Sequence, residues 1–512
     1  MAEQSNSSAL LNPQYNVGGW SKARLIICCD GTGNSEYLGS EKSPLTNVSR
    51  IARAINQWDD TQPIRQVVLY LRGIGTDENP DLWDSTNSMK QLTGTGLKSL
   101  IMEAYTFLSH NWTAYERQKK WSKMIKLIPP WEQGAEESDD IILIGFSRGA
   151  FAMRCLADFI TRYGLLGKKE LSKLPKLIER WEKEGNQVEQ GNEETSGEKG
   201  REVEIKVCAL WDTVDSVGTN MFNPIRPGPF AFVCSDLLGN IEHAFQALAL
   251  HERRAHFNPL VWERVPDSTG NTTLKQCWFA GYHSDIGGGN YKGALSHFAL
   301  VWMIAKLDPF VSISKKDLWT EKITAWTLPG GNELGVQDSK SGKYRFQIKD
   351  FHRWPRYLLK NKNGVLDNPE LIDSHDNEEQ QIHFSAGYLQ HRKALKRFPP
   401  FQRFNPSEDN IAAVLQRRNG RKWVLSKPGP TSWFSGRRYH ERQSSTYSVE
   451  EQYLSLTGKE KEILEDWVAF QHGNDLKEST LSGGSRFNDR ESLESTDKSK
   501  CILAELKEYL ES

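Results

Sequence analysis

Residues 145 to 149, Gly145-Phe146-Ser147-Arg148-Gly149, have the form Gly-x-Ser-x-Gly. On a turn from a strand to a helix this spacing makes a nucleophile elbow: the serine is forced up from a strained backbone, and glycines flank it because neighbouring chain comes too close for a Cβ. A five-residue pattern of common residues also arises by chance in long chains, so its surroundings decide. Ile141-Ile142-Leu143-Ile144 before it is an apolar run of strand length, and Ala150, Phe151, Met153, Leu156, Ala157 and Ile160 after it recur at helical spacing. The motif therefore sits on the joint that the chemistry requires.

A serine hydroxyl is a weak nucleophile until a base takes its proton, and the base needs an acid on its other ring nitrogen. Two residues downstream fit those roles by placement. Asp212 closes the apolar run Val203 to Trp211, and His283 lies just past the run Leu274 to Ala280, within Gly281-Tyr282-His283-Ser284-Asp285-Ile286-Gly287-Gly288-Gly289. The chain order Ser, Asp, His is that of α/β hydrolases. Asp215 and Asp285 compete for the acid, but Asp285 is two residues from His283, a spacing that favours a local hydrogen bond shaping the loop. Acyl transfer also needs donors aimed at the developing oxyanion, each commonly worth about 3 kcal/mol. The backbone N–H of Arg148 is one expected donor, and the turn Gly31-Thr32-Gly33 is the best source of a second. Asp30, beside that turn, would repel an oxyanion if its carboxylate faced one, which leaves it to orient the loop or to contact substrate.

The elements that must carry these residues are legible as an alternation. Arg24 to Cys29 and Gln66 to Leu71 are compact apolar strands, each closed by a turn-rich cluster, and Val48, Ile51, Ala52 and Ile55 mark an amphipathic helix between them. Leu97 to Leu108 is helical by period, strands follow at 141–144, 203–211 and 274–280, and Ala294 to Leu307 is an apolar helix. Ile241, Ala244, Phe245, Leu248 and Ala249 have helical spacing and predict an amphipathic helix. Strands alternating with helices over 24–307 specify an α/β fold with a largely parallel sheet flanked by helices. Residues 183–201 are almost wholly polar and read as a solvated insertion. Residues 77–96 and 121–131 are candidates for a lid by composition. Beyond 310 the periodicity weakens, apart from helical patterns at 456–470 and 501–510.

Composition narrows the function. The 512 residues carry a formal net charge of −1, so nothing in the total points to an electrostatic nucleic-acid binder, and no nucleic-acid partner is expected. Seven cysteines is an odd number, and those at 28, 29, 155, 208 and 277 fall inside apolar patterns, so free buried thiols in a reducing compartment are expected rather than a disulfide framework. The first residues lack a signal-peptide pattern, and no window approaches the roughly 18 apolar residues of a membrane span. The expectation is a soluble, cytoplasmic protein, with signal-independent export left open.

Five ordered stretches together make the chain resemble the DUF2235 family, α/β hydrolases that include phospholipase effectors of bacterial type VI secretion. They are Cys29-Asp30-Gly31-Thr32; the elbow through Phe151 with Arg154; Trp211-Asp212-Thr213-Val214 with Gly218; Glu252-Arg253-Arg254 with Phe257 and Pro259; and Trp278-Phe279-Ala280-Gly281 leading into the His283 loop. The resemblance spans about residues 24–310 and implies a Ser-Asp-His esterase or phospholipase site on Ser147, Asp212 and His283. The expected organisation is a flexible lead over 1–20, an α/β-hydrolase-like catalytic domain over 21–310, an accessory region packed on it over 311–474, a disordered linker over 475–500 and a C-terminal helix over 501–512. The expected activity is hydrolysis of a carboxylic ester, with a lipid or phospholipid as leading substrate, through an acyl-enzyme that needs no metal or organic cofactor. Peripheral contact with a membrane fits that substrate. Two alternatives stand beside it: a hydrolase scaffold that only binds a partner, and an esterase for small polar acyl groups.

Overall fold

The computed structural model describes residues 22–32, 45–74, 94–112, 138–186, 200–214, 230–250, 257–264, 272–289 and 294–319 apart from a few single positions. It also describes Glu252 and parts of 380–385, 414–426, 446–449 and 458–470. Seven strands form one parallel sheet: β1 (Ala23–Cys29), β2 (Arg65–Leu71), β3 (Asp140–Phe146), β4 (Ile205–Trp211), β5 (Ile241–Ala249), β6 (Thr273–Phe279) and β7 (Gln380–Ile382), in the order β2-β1-β3-β4-β5-β6-β7. A three-stranded antiparallel sheet lies further on in the sequence, at Val414–Arg418, Lys422–Ser426 and Thr446–Val449.

Both faces of the large sheet are covered, which is why its strands are apolar runs and not alternating patterns. In β1, Ile26 and Cys28 point into one core, while Leu25, Ile27 and Cys29 point into the other; β3 divides Ile142, Ile144 and Phe146 from Ile141 and Leu143 in the same way. The helices that pack against the second face are α2 (Gly94–Asn111), α3 (Ser147–Tyr163) and α4 (Leu174–Asn186), through Ile101, Tyr105, Phe151, Phe159, Ile178 and Trp181. On the first face lie α1 (Asn47–Ala54), α6 (Ala294–Leu307) and α8 (residues 458–467), with the short α5 (His283–Gly287) and α7 (Lys315–Leu318) between them. The cysteines at 28, 29, 155, 208 and 277 are buried and free. Burial pushes the thiols of Cys28 and Cys208 upward, the latter to about 12, so they are packing groups and not nucleophiles. Among the described residues no helix is long and apolar enough to cross a membrane.

Two sequence expectations need correction. Residues 241–249 are not a helix but the interior strand β5, paired in parallel with β4 and β6. Their apolar positions happen to fall three and four apart. A strand enclosed on both faces needs no alternation, so period cannot tell it from a helix. The polar stretch 183–201 is not wholly an insertion either, because α4 continues to Asn186, its buried Trp181 hydrogen-bonded through Nε1–H to Asp158. The rest of that stretch, to residue 199, lies outside the described residues. So do the lead, the two stretches read as lids apart from 94–96, the linker and the final helix.

Described elements after residue 310 join the core of the large sheet. β7 extends the sheet beside β6, and Ile463, Leu464 and Trp467 of α8 are buried with Phe298, Trp302 and Trp319. His383, next to β7, donates its backbone N–H to Trp278 O, and its ring bridges Ser385 Oγ at 2.8 Å and Glu460 Oε1 at 2.7 Å.

Candidate active site

Ser147 begins α3 immediately after β3, at the carboxyl end of the sheet where parallel strands present their ligand groups. Its φ is 58°, in the left-handed region that side chains other than glycine rarely adopt, and among the described non-glycine residues only Asp212, with φ 38°, shares that sign. Strain of this kind costs on the order of 1–3 kcal/mol and persists only where surrounding structure enforces it. Here the enforcement is visible. A Cβ on Gly145 would come within 2.8 Å of the Ala150 backbone, and one on Gly149 would lie 2.4 Å from the carbonyl oxygens of both Cys29 and Asp30. The elbow is thus clamped to the end of β1. Gly149→Ala is expected to destabilise the fold by about 3 kcal/mol, since neither carbonyl is a movable side chain, with thermal unfolding as the check.

Asp212, after β4, and His283, after β6, reach the same point from either side of β5. The Ser147 hydroxyl lies 2.8 Å from His283 Nε2, and His283 Nδ1 lies 2.6 Å from Asp212 Oδ2. All three side chains are buried, Asp212 completely. A ring whose Nδ1 faces a carboxylate carries its proton there, which leaves Nε2 to accept from the serine, the tautomer of a poised base. The other Asp212 oxygen, Oδ1, accepts the backbone N–H of Ala249 at 3.0 Å. Strand β5, where the spacing predicts a helix, therefore supplies a contact that fixes the Asp212 carboxylate.

The imidazole is also held on its faces. Phe146 packs against it with ring centroids 4.8 Å apart and tilted by 31°, and Phe257 meets it edge-on at 4.8 Å and 75°. Sequence reading missed both roles, although Phe146 occupies the variable position just before the serine. Gly287 makes room for Phe146, because a Cβ there would lie 2.1 Å from that ring.

Asp285 accepts the backbone N–H of Tyr282 at 3.0 Å, the local hydrogen bond that its spacing implies. Asp215 lies outside the described residues. Asp30 is buried and engaged away from Ser147: its Oδ2 accepts from the hydroxyls of Tyr70 (2.6 Å), Thr46 (2.8 Å) and Ser49 (3.2 Å), and its Oδ1 accepts Gly31 N–H at 2.7 Å. Burial pushes its carboxyl up, and those hydrogen bonds oppose the shift. Asp30 thereby orients the loop, and the Gly31 N–H offered as an oxyanion donor is already satisfied by it. Thr32 follows, and Gly33 is outside the described residues. The Asp30 loop is tied to the His283 turn through the start of α1, where Asn47 Nδ2 donates to Ile286 O and Gly289 N–H donates to Leu45 O.

Arg148 heads α3 with Ser147, and its backbone N–H belongs to the first turn, where helix amides have no partner four residues back. Burial lowers its guanidinium to about 10, so it remains charged at neutral pH. No described residue offers it a hydrogen bond or an ion pair.

Comparison with known proteins bears on the same stretch. A family model described as "T6SS, Phospholipase effector Tle1-like, catalytic domain" matches residues 23–306. An uncharacterized protein of Saccharomyces cerevisiae, YEL023C, is 30% identical over 268 residues, which cover 50% of this chain and 35% of the yeast protein. The chain thus spans about a third of the length of that relative. Among solved structures, an uncharacterized protein from Pseudomonas aeruginosa is similar at 18% identity and a TM-score of 0.35, over 62% of this chain and 49% of that one. The Tle1 effector bound to the VgrG spike of the type 6 secretion system is similar at 19% identity and a TM-score of 0.30, over 56% of this chain and 57% of that one.

Proposed function

The chain belongs to the Tle1-like phospholipase effector catalytic-domain family, and on that footing we propose that it is a serine hydrolase of phospholipid carboxylic esters. The observation that carries the reading is the continuous chain Ser147 Oγ, His283 Nε2, His283 Nδ1, Asp212 Oδ2, with contacts of 2.8 and 2.6 Å, mounted on a strained elbow. His283 takes the Ser147 proton as Oγ attacks the ester carbonyl, and Asp212 holds the imidazolium that results. The tetrahedral oxyanion is met by the N–H of Arg148 and by a donor of the loop after β1. His283 then protonates the leaving alcohol, and a water activated by the same imidazole releases the fatty acid from Ser147.

The substrate class rests on the family and on Arg148. Arg148 is half-buried beside the nucleophile, and a guanidinium partly withdrawn from water gains when an anion meets it. The phosphate of a glycerophospholipid offers that charge close to the ester, and a neutral glyceride does not. The test has two parts. A fluorophosphonate probe is expected to form an adduct that peptide mass spectrometry places on Ser147. The same preparation should release fatty acid from phosphatidylcholine vesicles with a higher kcat/KM than from diacylglycerol in matched carrier. A folded protein that takes no label would favour a scaffold that only binds, whereas a labelled enzyme confined to short-chain esters would remove the lipid.

A further inference from the structure

Glu252, in the segment just after β5, is buried, and its Oε2 accepts the backbone N–H of His283 at 3.3 Å. Nothing in the mechanism above uses it. A buried carboxylate is costly to keep unless hydrogen bonds and nearby positive charge repay the desolvation. Three buried carboxylates converge on this turn and divide its donors: Asp285 takes Tyr282 N–H, Glu252 takes His283 N–H, and Asp212 takes the ring. Asp212 is the one of the three bonded to Nδ1 of the imidazole, the contact that sets its tautomer.

We propose that Glu252 is a positioning residue for the base: it fixes the backbone of His283, and its charge stabilises the imidazolium through space. The inference rests on the role given to His283 above. Glu252 holds the backbone N–H of the very residue that carries the ring, at 3.3 Å, and an opposite charge within about 4–6 Å favours the ionised form. Asp212 from the end of β4 and the Ser147 hydroxyl from the elbow meet the imidazole, and the charged groups on the segments around it are Glu252 after β5, Asp285 in its own turn and Arg148 beside Ser147. Phe146 and Phe257 face it without charge. Glu252 bonds the His283 backbone N–H and Asp212 bonds the ring, so the charge of Glu252 can be removed while the contact that sets the tautomer stays.

The sign follows directly. The base works when neutral, so the acid limb of the rate falls where the imidazole protonates. Removing a carboxylate that favours the protonated form moves that limb to lower pH. Glu252→Gln keeps an oxygen for the His283 N–H and loses the charge, while Glu252→Ala loses both. In the full chain, the rate of fluorophosphonate labelling at Ser147 is measured against pH. The Gln variant is expected to shift the acid limb down by about half to one pH unit, with the plateau reduced roughly threefold. The Ala variant is expected to show the same shift with a plateau reduced by roughly a hundredfold, because a base held 1 Å off line loses about that much. A Gln variant that unfolds at the wild-type temperature with an unmoved limb overturns the proposal, whatever the Ala variant does. Wild-type protein that never labels Ser147 overturns the serine-hydrolase reading together with this one, so the two failures are told apart by the control.

Discussion

Ser147→Ala is expected to lower kcat for ester hydrolysis by roughly 10⁴- to 10⁶-fold while leaving substrate affinity and the folded state close to wild type. The side chain is small and its loss deletes a single oxygen. That oxygen is hydrogen-bonded to His283 Nε2 and lies at the point where the strained turn, the clamped β1 end and the imidazole meet. Alanine keeps the Cβ, so the left-handed backbone at 147 is no more strained than before and stability should change by less than about 1 kcal/mol. Loss of the nucleophile leaves only binding and oxyanion stabilisation, which account for the residual rate in enzymes of this design. Single-turnover fatty-acid release from phosphatidylcholine measures the loss, and mass spectrometry after fluorophosphonate treatment should find no adduct at 147. Activity within tenfold of wild type would remove Ser147 from the reaction and the proposed mechanism with it.

How far the sequence discloses this site follows from where its contacts lie along the chain. Ser147, Asp212 and His283 were legible because each sits at the end of an apolar run, and a parallel sheet gathers strand ends at one edge. The elbow glycines were legible because their requirement is local. What sequence reading missed is long-range. Thr46, Ser49 and Tyr70 surround Asp30 from another helix and another strand, and no spacing pattern links them. Phe257 approaches His283 from a segment between strands, and nothing local predicts the contact. Residues 241–249 were misread because their apolar spacing matches a helix, while the enclosure that makes them a strand is supplied by α6 on one face and by buried residues such as Leu237 and Trp262 on the other. β7 is three residues long, below the length at which any periodic signal exists.

Asp212→Asn should cost nearly as much as losing the serine, about 10⁴-fold in kcat, and for a reason that the misread strand supplies. Asp212 Oδ1 accepts the N–H of Ala249 in β5, while Oδ2 accepts Nδ1–H of His283. An asparagine has one oxygen. Turned to keep the Ala249 contact, it presents its NH₂ to Nδ1, which must then become an acceptor and move the ring proton to Nε2. Nε2–H donates toward Ser147 and cannot take its proton. Turned the other way, the NH₂ meets the Ala249 N–H, two donors facing one another in a fully buried site, which costs about 1–3 kcal/mol. Retaining the β5 hydrogen bond and losing the base is therefore the favoured outcome, and the variant should fold, bind substrate and fail to react. Asp285→Asn is the control for the alternative acid: its oxygen can still accept Tyr282 N–H, so its loss should stay within about tenfold. If Asp285→Asn proves the slower of the two on the same vesicles, the acid is Asp285, and the contact between Asp212 and the ring is only structural.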